Sequence, residues 1–537
     1  MDKRTLLAIA ISMGIILVWW KIFPPVTPPP SAPAATQTAS GSGPTAAAPD
    51  PMAKMVAAQG PEQKATLAGP GAHYVFSSWG GSLRQVVLTE PRFLADKKNP
   101  DSGLEMIGVQ RPDLAELLLT APKADFDMPE GAWAMTQPSP DQVVFRAEND
   151  KIAVEKRFHL EGDYRLGLDV VLENKTEAAL GGSLAVRLFT RQDPEKTGGG
   201  FFSGQGDLAS LVCFVGDKVE RATLAALQKE PKEFTGTVSW VAADTKYFAV
   251  AVVPHPANTP NGHCGARALD GQHAEAYLSL PRRTIAPHGK DSTTFTVYAG
   301  PKYREALSQV RPGGVEVSLE KVVDVMFAVL SRPLLVMLKL FHGWVGNWGL
   351  AIIMLTLFVK IVTFYPAQRA MMSGKKMQRL APKMAELRKK YENDRQRLGA
   401  ETMNLYKQNG VSPLGGCLPS LMTMPIWMAM FSTLNYAVEL YRVPFIGYIH
   451  DLSARDPYFI TPLVMGAIMF LQMKMAPAGA DPQQQKMMTY MMPVMFTAFS
   501  LFLAAGLAIY TLTNSLLSIV QQVLVNRMDR RAVEAGK

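Results

Sequence analysis

Cysteine is scarce, with three residues in a chain of 537, and that excludes a disulfide scaffold. Cys213 and Cys264 are free to pair if their half of the chain is exported; two buried thiols fit equally well. Cys417, in "PLGGCLP", has the look of an acylation box but stands too far from the N-terminus to be one. Catalytic patterns are missing as well. There is no Walker loop, no H-E-x-x-H and no paired C-x-x-C, and the eight histidines are scattered. "GQGDLA" (204–209) matches a loose nucleotide motif without a strand–helix unit around it. The sequence therefore predicts no catalytic residues, no metal and no cofactor. Long apolar runs are absent from residues 60–310, which read as ordinary water-soluble protein, and crowd into 340–525.

What is present follows that division. "MDKRTLLAIAISMGIILVWWKIF" (1–23) has Lys3 and Arg4, then an apolar run long enough to span a bilayer, then paired tryptophans. No small-x-small site follows directly, so it reads as an uncleaved anchor rather than a signal peptide. Residues 24–57 are Pro, Ala, Ser, Thr and Gly, a tether that cannot bury enough apolar surface to order itself. Residues 58–312 carry β-signals. In "YRLGLDVVLEN" the residues Tyr164, Leu166, Leu168, Val170 and Leu172 alternate at period two. "VVFRAENDKIAVEKRF" predicts a hairpin turning at Glu148-Asn149-Asp150, and "WVAADTKYFAVAVVP" and "STTFTVYAGPK" add strands. Many short strands with few helical stretches predict a large all-β sandwich.

Residues 313–344 read as an amphipathic helix lying at the membrane interface, because Arg332, Pro333, Lys339 and His342 interrupt its apolar run. Residues 345–526 supply five further spans: 347–365, 419–438, 458–475, 490–503 and 507–525. The last two are joined by "AAG" (504–506). Six spans place both termini in the cytoplasm and 25–340 outside. The basic clusters at 375–407 and at Arg527, Arg530 and Arg531 (in the tail 527–537) then fall inside, as the positive-inside rule requires.

Lys360, in "LFVKIVTFY", is the residue that needs explaining. A cation within a span is a functional candidate by default, yet its stem could snorkel toward Tyr365, about 7.5 Å along the helix. Spacing alone leaves both open. Thr356, Thr363, Thr423, Thr511, Thr513, Asn514, Ser515, Gln521 and Gln522 add polar groups at similar depth. Methionine, 29 residues, clusters in "MTMPIWMAM" (422–430) and "KMMTYMMPVMF" (486–496), where its adaptable side chains suit variable apolar partners as well as core packing. In the loop at 367–410, Met377, Leu380, Met384, Leu387 and Tyr391 form a heptad seam, with a return helix expected after Leu398-Gly399. Its basic exterior is either a solvated face or a docking surface for acidic RNA or lipid.

Nearly the whole chain resembles the YidC membrane-protein insertases. The resemblance runs through "SWVAADTKYFAVAVVP", "GNWGLAII", "YPAQRAMMSGKKMQRLAPKMAELRKKY", "PLGGCLPSLMTMPIW", "PQQQKMMTYMMPVMF" and "AAGLAIYTLTN". It implies a polytopic inner-membrane insertase, not an enzyme, with a five-helix core and a periplasmic β-domain whose fold is related to sugar epimerases. It also implies a hydrophilic groove open to cytoplasm and lipid. Lys360 stands where the family usually has arginine, with Thr356, Thr363, Thr423, Thr511, Asn514 and Gln521 lining the groove. The substrate slide maps to Met424, Pro425, Trp427, Phe499 and Leu501, and cytoplasmic docking to Lys375, Lys376, Arg379, Lys383, Arg388, Lys389 and Lys390. Nascent membrane proteins, the ribosome, the Sec translocon with its accessory subunits, and inner-membrane lipid are the partners implied. The chain departs from the family in "AAG", where Pro-Ser-Gly is common, and in Tyr510-Thr511, where a tyrosine pair is usual. A solute transporter would need paired repeats or broken helices, which the sequence does not display. A tethered periplasmic carbohydrate-binding protein would leave the hairpin and five spans without a purpose.

Overall fold

Backbone alternation and turn chemistry build the first half of the chain. The computed structural model describes residues 61–94, 102–107, 111, 114–192, 209–323, 328–391, 394–410, 414–475 and 487–534. The expected anchor at 1–23 and tether at 24–57 lie outside the described residues. Two compact units account for the rest, one built of strands up to residue 324 and one of helices from residue 325.

The strand unit opens with β1 (Lys64–Ala68), β2 (Ala72–Ser77), β3 (Ser82–Leu88) and β4 (Leu104–Glu105), which pair in that order. Next come β5 (Leu118–Thr120), β6 (Ala134–Ser139), β7 (Gln142–Glu148), β8 (Ile152–Gly162) and β9 (Arg165–Asn174). They are followed by β10 (Leu180–Gly182), β11 (Ala185–Arg191), β12 (Ser210–Val215), β13 (Lys218–Thr223) and β14 (Lys232–Asp244). The unit ends with β15 (Phe248–His255), β16 (Thr259–Ala268), β17 (His273–Ser279), β18 (Arg283–Ile285) and β19 (Lys290–Pro301). One large antiparallel sheet runs β5-β11-β17-β16-β14-β15-β19-β9-β8-β7-β6, with β12 joined to β14 and β13 to β12, while β10 and β18 pair separately.

The predicted alternation is visible in β9, where Leu166, Leu168, Val170 and Leu172 are buried while Asp169 and Glu173 are not. The predicted hairpin turns at Asn149, whose Oδ1 accepts from the backbone N–H groups of Lys151 and Ile152 at 3.0 and 2.9 Å. The small sheet packs on the large one through Phe76, whose ring centroid lies 4.6 Å from that of Phe158. Lys156 ties the layers together. It is fully buried, and its ammonium donates to the carbonyls of Gly80, Gly81 and Leu117 at 3.1, 2.6 and 2.8 Å. Burial pulls its pKa down to about 7, and the three carbonyl acceptors oppose that fall by favouring the charged form.

Cys213 on β12 and Cys264 on β16 form a disulfide, their Cα atoms 6.3 Å apart. Residues 312–323 also pack with the strands. The Val317 carbonyl accepts from Trp240 Nε1 at 3.1 Å, and Trp240 is fully buried, stacked on Phe214. Burying such a ring contributes about 1.5–3 kcal/mol.

The helical unit comprises α1 (Ala328–Val345), α2 (Trp348–Val362), α3 (Phe364–Arg379), α4 (Ala381–Lys390), α5 (Arg395–Gln408), α6 (Leu414–Tyr436), α7 (Ile460–Met475), α8 (Met492–Ser500) and α9 (Ala505–Glu534). Among the described residues two helices, Ala328–Val345 and Ala505–Met528, are long and apolar enough to cross a membrane. α2 and α3 make a third if the pair, bent by 61°, is counted as one. Six spans are thus not reached by this measure. α7 is 16 residues and α8 only 9, the latter preceded by a π-helical turn at Met487–Met491. α1, read from sequence as interfacial, passes the length test despite Arg332 and Lys339. α9 continues to Glu534, past the expected end of the last span at 525.

The cytoplasmic hairpin differs from expectation at its turn. Asp394 Oδ1 accepts from Arg397 N at 3.0 Å and starts α5, so Leu398-Gly399 lie inside a helix. Aspartate is a strong helix N-cap, whereas one glycine in an exposed helix costs only about 1 kcal/mol. Leu380 and Met384 of the seam are buried, and Leu387 and Tyr391 are half-buried.

Candidate functional site

One end of the helical bundle is sealed by its own backbone. Residues 437–456 fold back into it, with Val438, Leu440, Ile449 and Leu452 buried. Gly506 N donates to the Leu452 carbonyl at 2.8 Å and Ala505 N to Ala454 at 2.7 Å, which pins the reversal before α9. Phe445 lies against Gly349, where a Cβ would collide with the ring, and Asn347 Nδ2 donates to the Phe445 carbonyl at 3.1 Å. Asn347 also caps α2 by accepting from Leu350 N at 3.1 Å. Lys339 on α1 and Glu439 form an ion pair of 2.7 Å, with the glutamate side chain 7% exposed.

The other end of α2 carries the lysine. Lys360 does not stretch along its own helix toward Tyr365. Its Nζ crosses to α9, donating to Ser518 Oγ at 2.7 Å and Asn514 Oδ1 at 3.4 Å. No carboxylate pairs with it among the described residues, so the charge rests on neutral oxygens. Gln521, one turn further along α9, donates from Nε2 to the Phe364 carbonyl at 3.3 Å, at the bend between α2 and α3. Its Oε1 is buried without a hydrogen-bond partner. Lys360, Asn514 and Ser518 thus form a polar patch between α2 and α9, and Gln521 continues it along the same face of α9 to the α2–α3 bend.

Of the groove residues expected from sequence, Lys360 and Asn514 are brought into contact, and Gln521 lies on the same face of α9, bonded to the Phe364 carbonyl. Thr356 is buried at 2% exposure, its hydroxyl donated to the Ile352 carbonyl at 2.7 Å. Thr363 and Thr511 likewise donate to the carbonyls four residues back, Val359 and Leu507, at 2.8 Å each. Thr423 lies on α6, and its side chain falls outside the described residues. Ser518 was not anticipated. The signal was available, because 514, 518 and 521 repeat at four and three and so share one face of α9.

The expected slide residues are dispersed. Met424 is 38% exposed, whereas Trp427 and Phe499 pack against the helical core, and Pro425 and Leu501 are half-buried. A wider exposed apolar surface exists on Met487, Tyr490, Met491, Val494 and Met495. On the hairpin, Lys376, Arg379, Lys383, Arg388, Lys389 and Lys390 are exposed and Lys375 is half-buried.

Two family models match the chain: "YidC periplasmic domain" over residues 67–337 and "60Kd inner membrane protein" over residues 340–532. The membrane protein insertase YidC of Anaeromyxobacter dehalogenans (strain 2CP-C) is 36% identical, with 99% of this chain and 98% of that protein covered. The insertase YidC of Syntrophus aciditrophicus (strain SB) is 33% identical over 98% of this chain and 100% of that protein. A crystal structure of an active YidC insertase with its first transmembrane domain resolved is 15% identical. It covers 86% of this chain and 92% of that one, at a TM-score of 0.38.

Proposed function

Because the chain belongs to the YidC family of membrane protein insertases, we propose that it admits the polar parts of nascent membrane proteins at the Lys360 patch and releases their apolar segments along the methionine-rich faces. Insertion of membrane proteins at the inner membrane is the function, and no enzyme chemistry is involved. The observation that carries the mechanism is the hydrogen-bonded turn of Lys360 onto Asn514 and Ser518.

A cation satisfied only by neutral side chains keeps unused electrostatic capacity. Water and the polar termini of an incoming chain complete its solvation, which lowers the cost of bringing them below the membrane surface. The sealed opposite end gives the patch a direction. An entering loop is held there while its apolar segment transfers into lipid. That transfer supplies the drive, at roughly 25 cal/mol for each Å² of apolar surface removed from water, so no nucleotide is required. Lysine lacks the planar fork of arginine, so attraction is electrostatic rather than bidentate.

The remaining roles follow from chemistry and placement. Six spans with both termini cytoplasmic satisfy the charge distribution, with residues 25–340 in the periplasm and α1 at the interface. Met424, Pro425, Trp427, Phe499 and Leu501 guide apolar segments outward. The basic hairpin, through Lys375, Lys376, Arg379, Lys383 and Arg388 to Lys390, receives the ribosome or acidic lipid, and the Sec translocon hands over longer substrates.

A photo-crosslinking amino acid at Ser518 or Met424, challenged with a stalled single-span nascent chain, tests this reading. The polar tail should crosslink from 518 and the apolar segment from 424. Equal crosslinking of the apolar segment from both positions would overturn it.

A further inference from the structure

The bend between α2 and α3 originates in Pro366, which has no N–H to give to the carbonyl of Val362, four residues back. Thr363 belongs to both helices. Its N–H donates to the Val359 carbonyl at 2.9 Å and its own carbonyl accepts from Ala367 N at 3.1 Å, with φ −88° and ψ 1°. The axis turns there by 61°. Two soft dihedrals at one residue decide such an angle, so contacts on either side have to hold it.

Those contacts come from α9, which meets both arms. Before the bend it takes the Lys360 ammonium on Ser518 and Asn514. At the bend Gln521 Nε2 donates to the Phe364 carbonyl at 3.3 Å, and beyond it Gln368 Nε2 donates to Met528 Sδ at 3.4 Å. Positions 360, 364 and 368 thus face 514, 518, 521 and 528, with buried Val525 between the last two. Steps of three and four keep the α9 set on one face. The seam continues across the bend.

Gln521 is not the wall of an open groove. It is 3% exposed, and among the described residues its Oε1 is buried without a hydrogen-bond partner. An apolar side chain of similar size would leave no such orphan, which points to the donor as the reason for the amide. That donor reaches the first residue of α3, the helix that carries Lys375, Lys376 and Arg379 and leads into α4 and α5. The angle at the bend therefore sets where the basic hairpin stands relative to Lys360.

We propose, resting on the reading of the Lys360 patch as the receiving site, that Gln521 is a positioning residue for insertion. By donating to the Phe364 carbonyl it fixes the α2–α3 bend and so aims the basic hairpin at the patch.

The test uses full-length protein carrying Cys417→Ser, reconstituted into proteoliposomes with a small single-span substrate. Gln521→Leu should slow insertion about fivefold or more. Its thermal unfolding in detergent should stay at the same temperature or rise, because leucine removes the orphan acceptor; a merely structural role would lower it. Gln368→Cys with Met528→Cys then lets a short bis-maleimide, applied in detergent before reconstitution, tie the arm beyond the bend to α9. The tie should restore most of the rate lost in Gln521→Leu and leave a tied Lys360→Ala inactive. Wild-type insertion by Gln521→Leu would overturn the proposal, and so would a slowed Gln521→Leu that the tie does not restore. Loss of activity on tying the protein with Gln521 intact would overturn it too, since the bend would then have to move. Full activity in Lys360→Ala would remove the receiving-site reading and the proposal with it, an outcome told apart by being independent of position 521.

Discussion

Lys360 is held by two neutral oxygens from one helix face, and each contact has a separable consequence. Replacing Ser518 by Val leaves the ammonium with the longer contact to Asn514 alone. Hydrogen bonds to charged groups contribute about 1.5–3 kcal/mol, so Ser518→Val should slow insertion of a single-span substrate roughly tenfold, and Ser518→Thr should retain most activity. A protease-protection assay in proteoliposomes reads both. A second residue makes a pH prediction. Glu116 is buried and accepts from Phe189 N at 3.0 Å, and burial pushes its pKa up to about 8 from 4.5. Its protonated form belongs to the native state, so its contribution is present below the unfolded pKa and is lost as pH rises toward about 8. Lys156, whose native pKa is about 7, loses its proton only toward the top of the window from about pH 5 to 7 and offsets a small part of the slope there. The protection of β8 and β11 amides against hydrogen exchange should therefore fall by roughly 2 kcal/mol over that window. Glu116→Gln should flatten the slope. At this scale Lys360, Asn514 and Gln521 are legible in the sequence because polar groups among apolar ones stand out. The burial of Thr356 is not, because a threonine hydroxyl can satisfy itself on its own helix and then pack as an apolar side chain.

Single contacts decide how the elements meet. α2 approaches the 437–456 segment closely because Gly349 has no side chain to meet Phe445. Gly349→Ala should lower stability by about 1–3 kcal/mol through overpacking, and Gly349→Ala with Phe445→Leu should recover much of it; thermal unfolding in detergent measures the pair. In the strand unit the disulfide joins β12 to β16. Denatured, unreduced protein should accordingly take up one maleimide, on Cys417, and three after reduction. Strands were legible because period-two alternation and the Asn149 turn are local signals. The pairing of Cys213 with Cys264 was not, since it depends on register across β14, between strands far apart in the chain. The hairpin seam was legible too, but its turn falls earlier than Leu398-Gly399, where Asp394 caps α5.

At the scale of the whole molecule the sequence separates a water-soluble half from a membrane half, and the two family models divide the chain at nearly the same place. The number of spans was less legible. Among the described residues two helices, or three with the bent pair, pass the length and hydropathy test that six were expected to meet. The α2–α3 bend, with Gln521 donating to the Phe364 carbonyl, belongs to the same class of tertiary detail. What unites the bundle is its asymmetry: a hydrogen-bonded seal at one end and a lysine among neutral donors and acceptors at the other. The central claim is that this lysine's charge, and not merely its length, serves insertion. Lys360→Arg, Lys360→Ala and Lys360→Glu, reconstituted into proteoliposomes with a small single-span substrate, test it most directly. Activity kept in Lys360→Arg and lost in both Lys360→Ala and Lys360→Glu is the predicted result. Full activity in all three folded variants would contradict it and leave Lys360 as no more than an anchor for its helix.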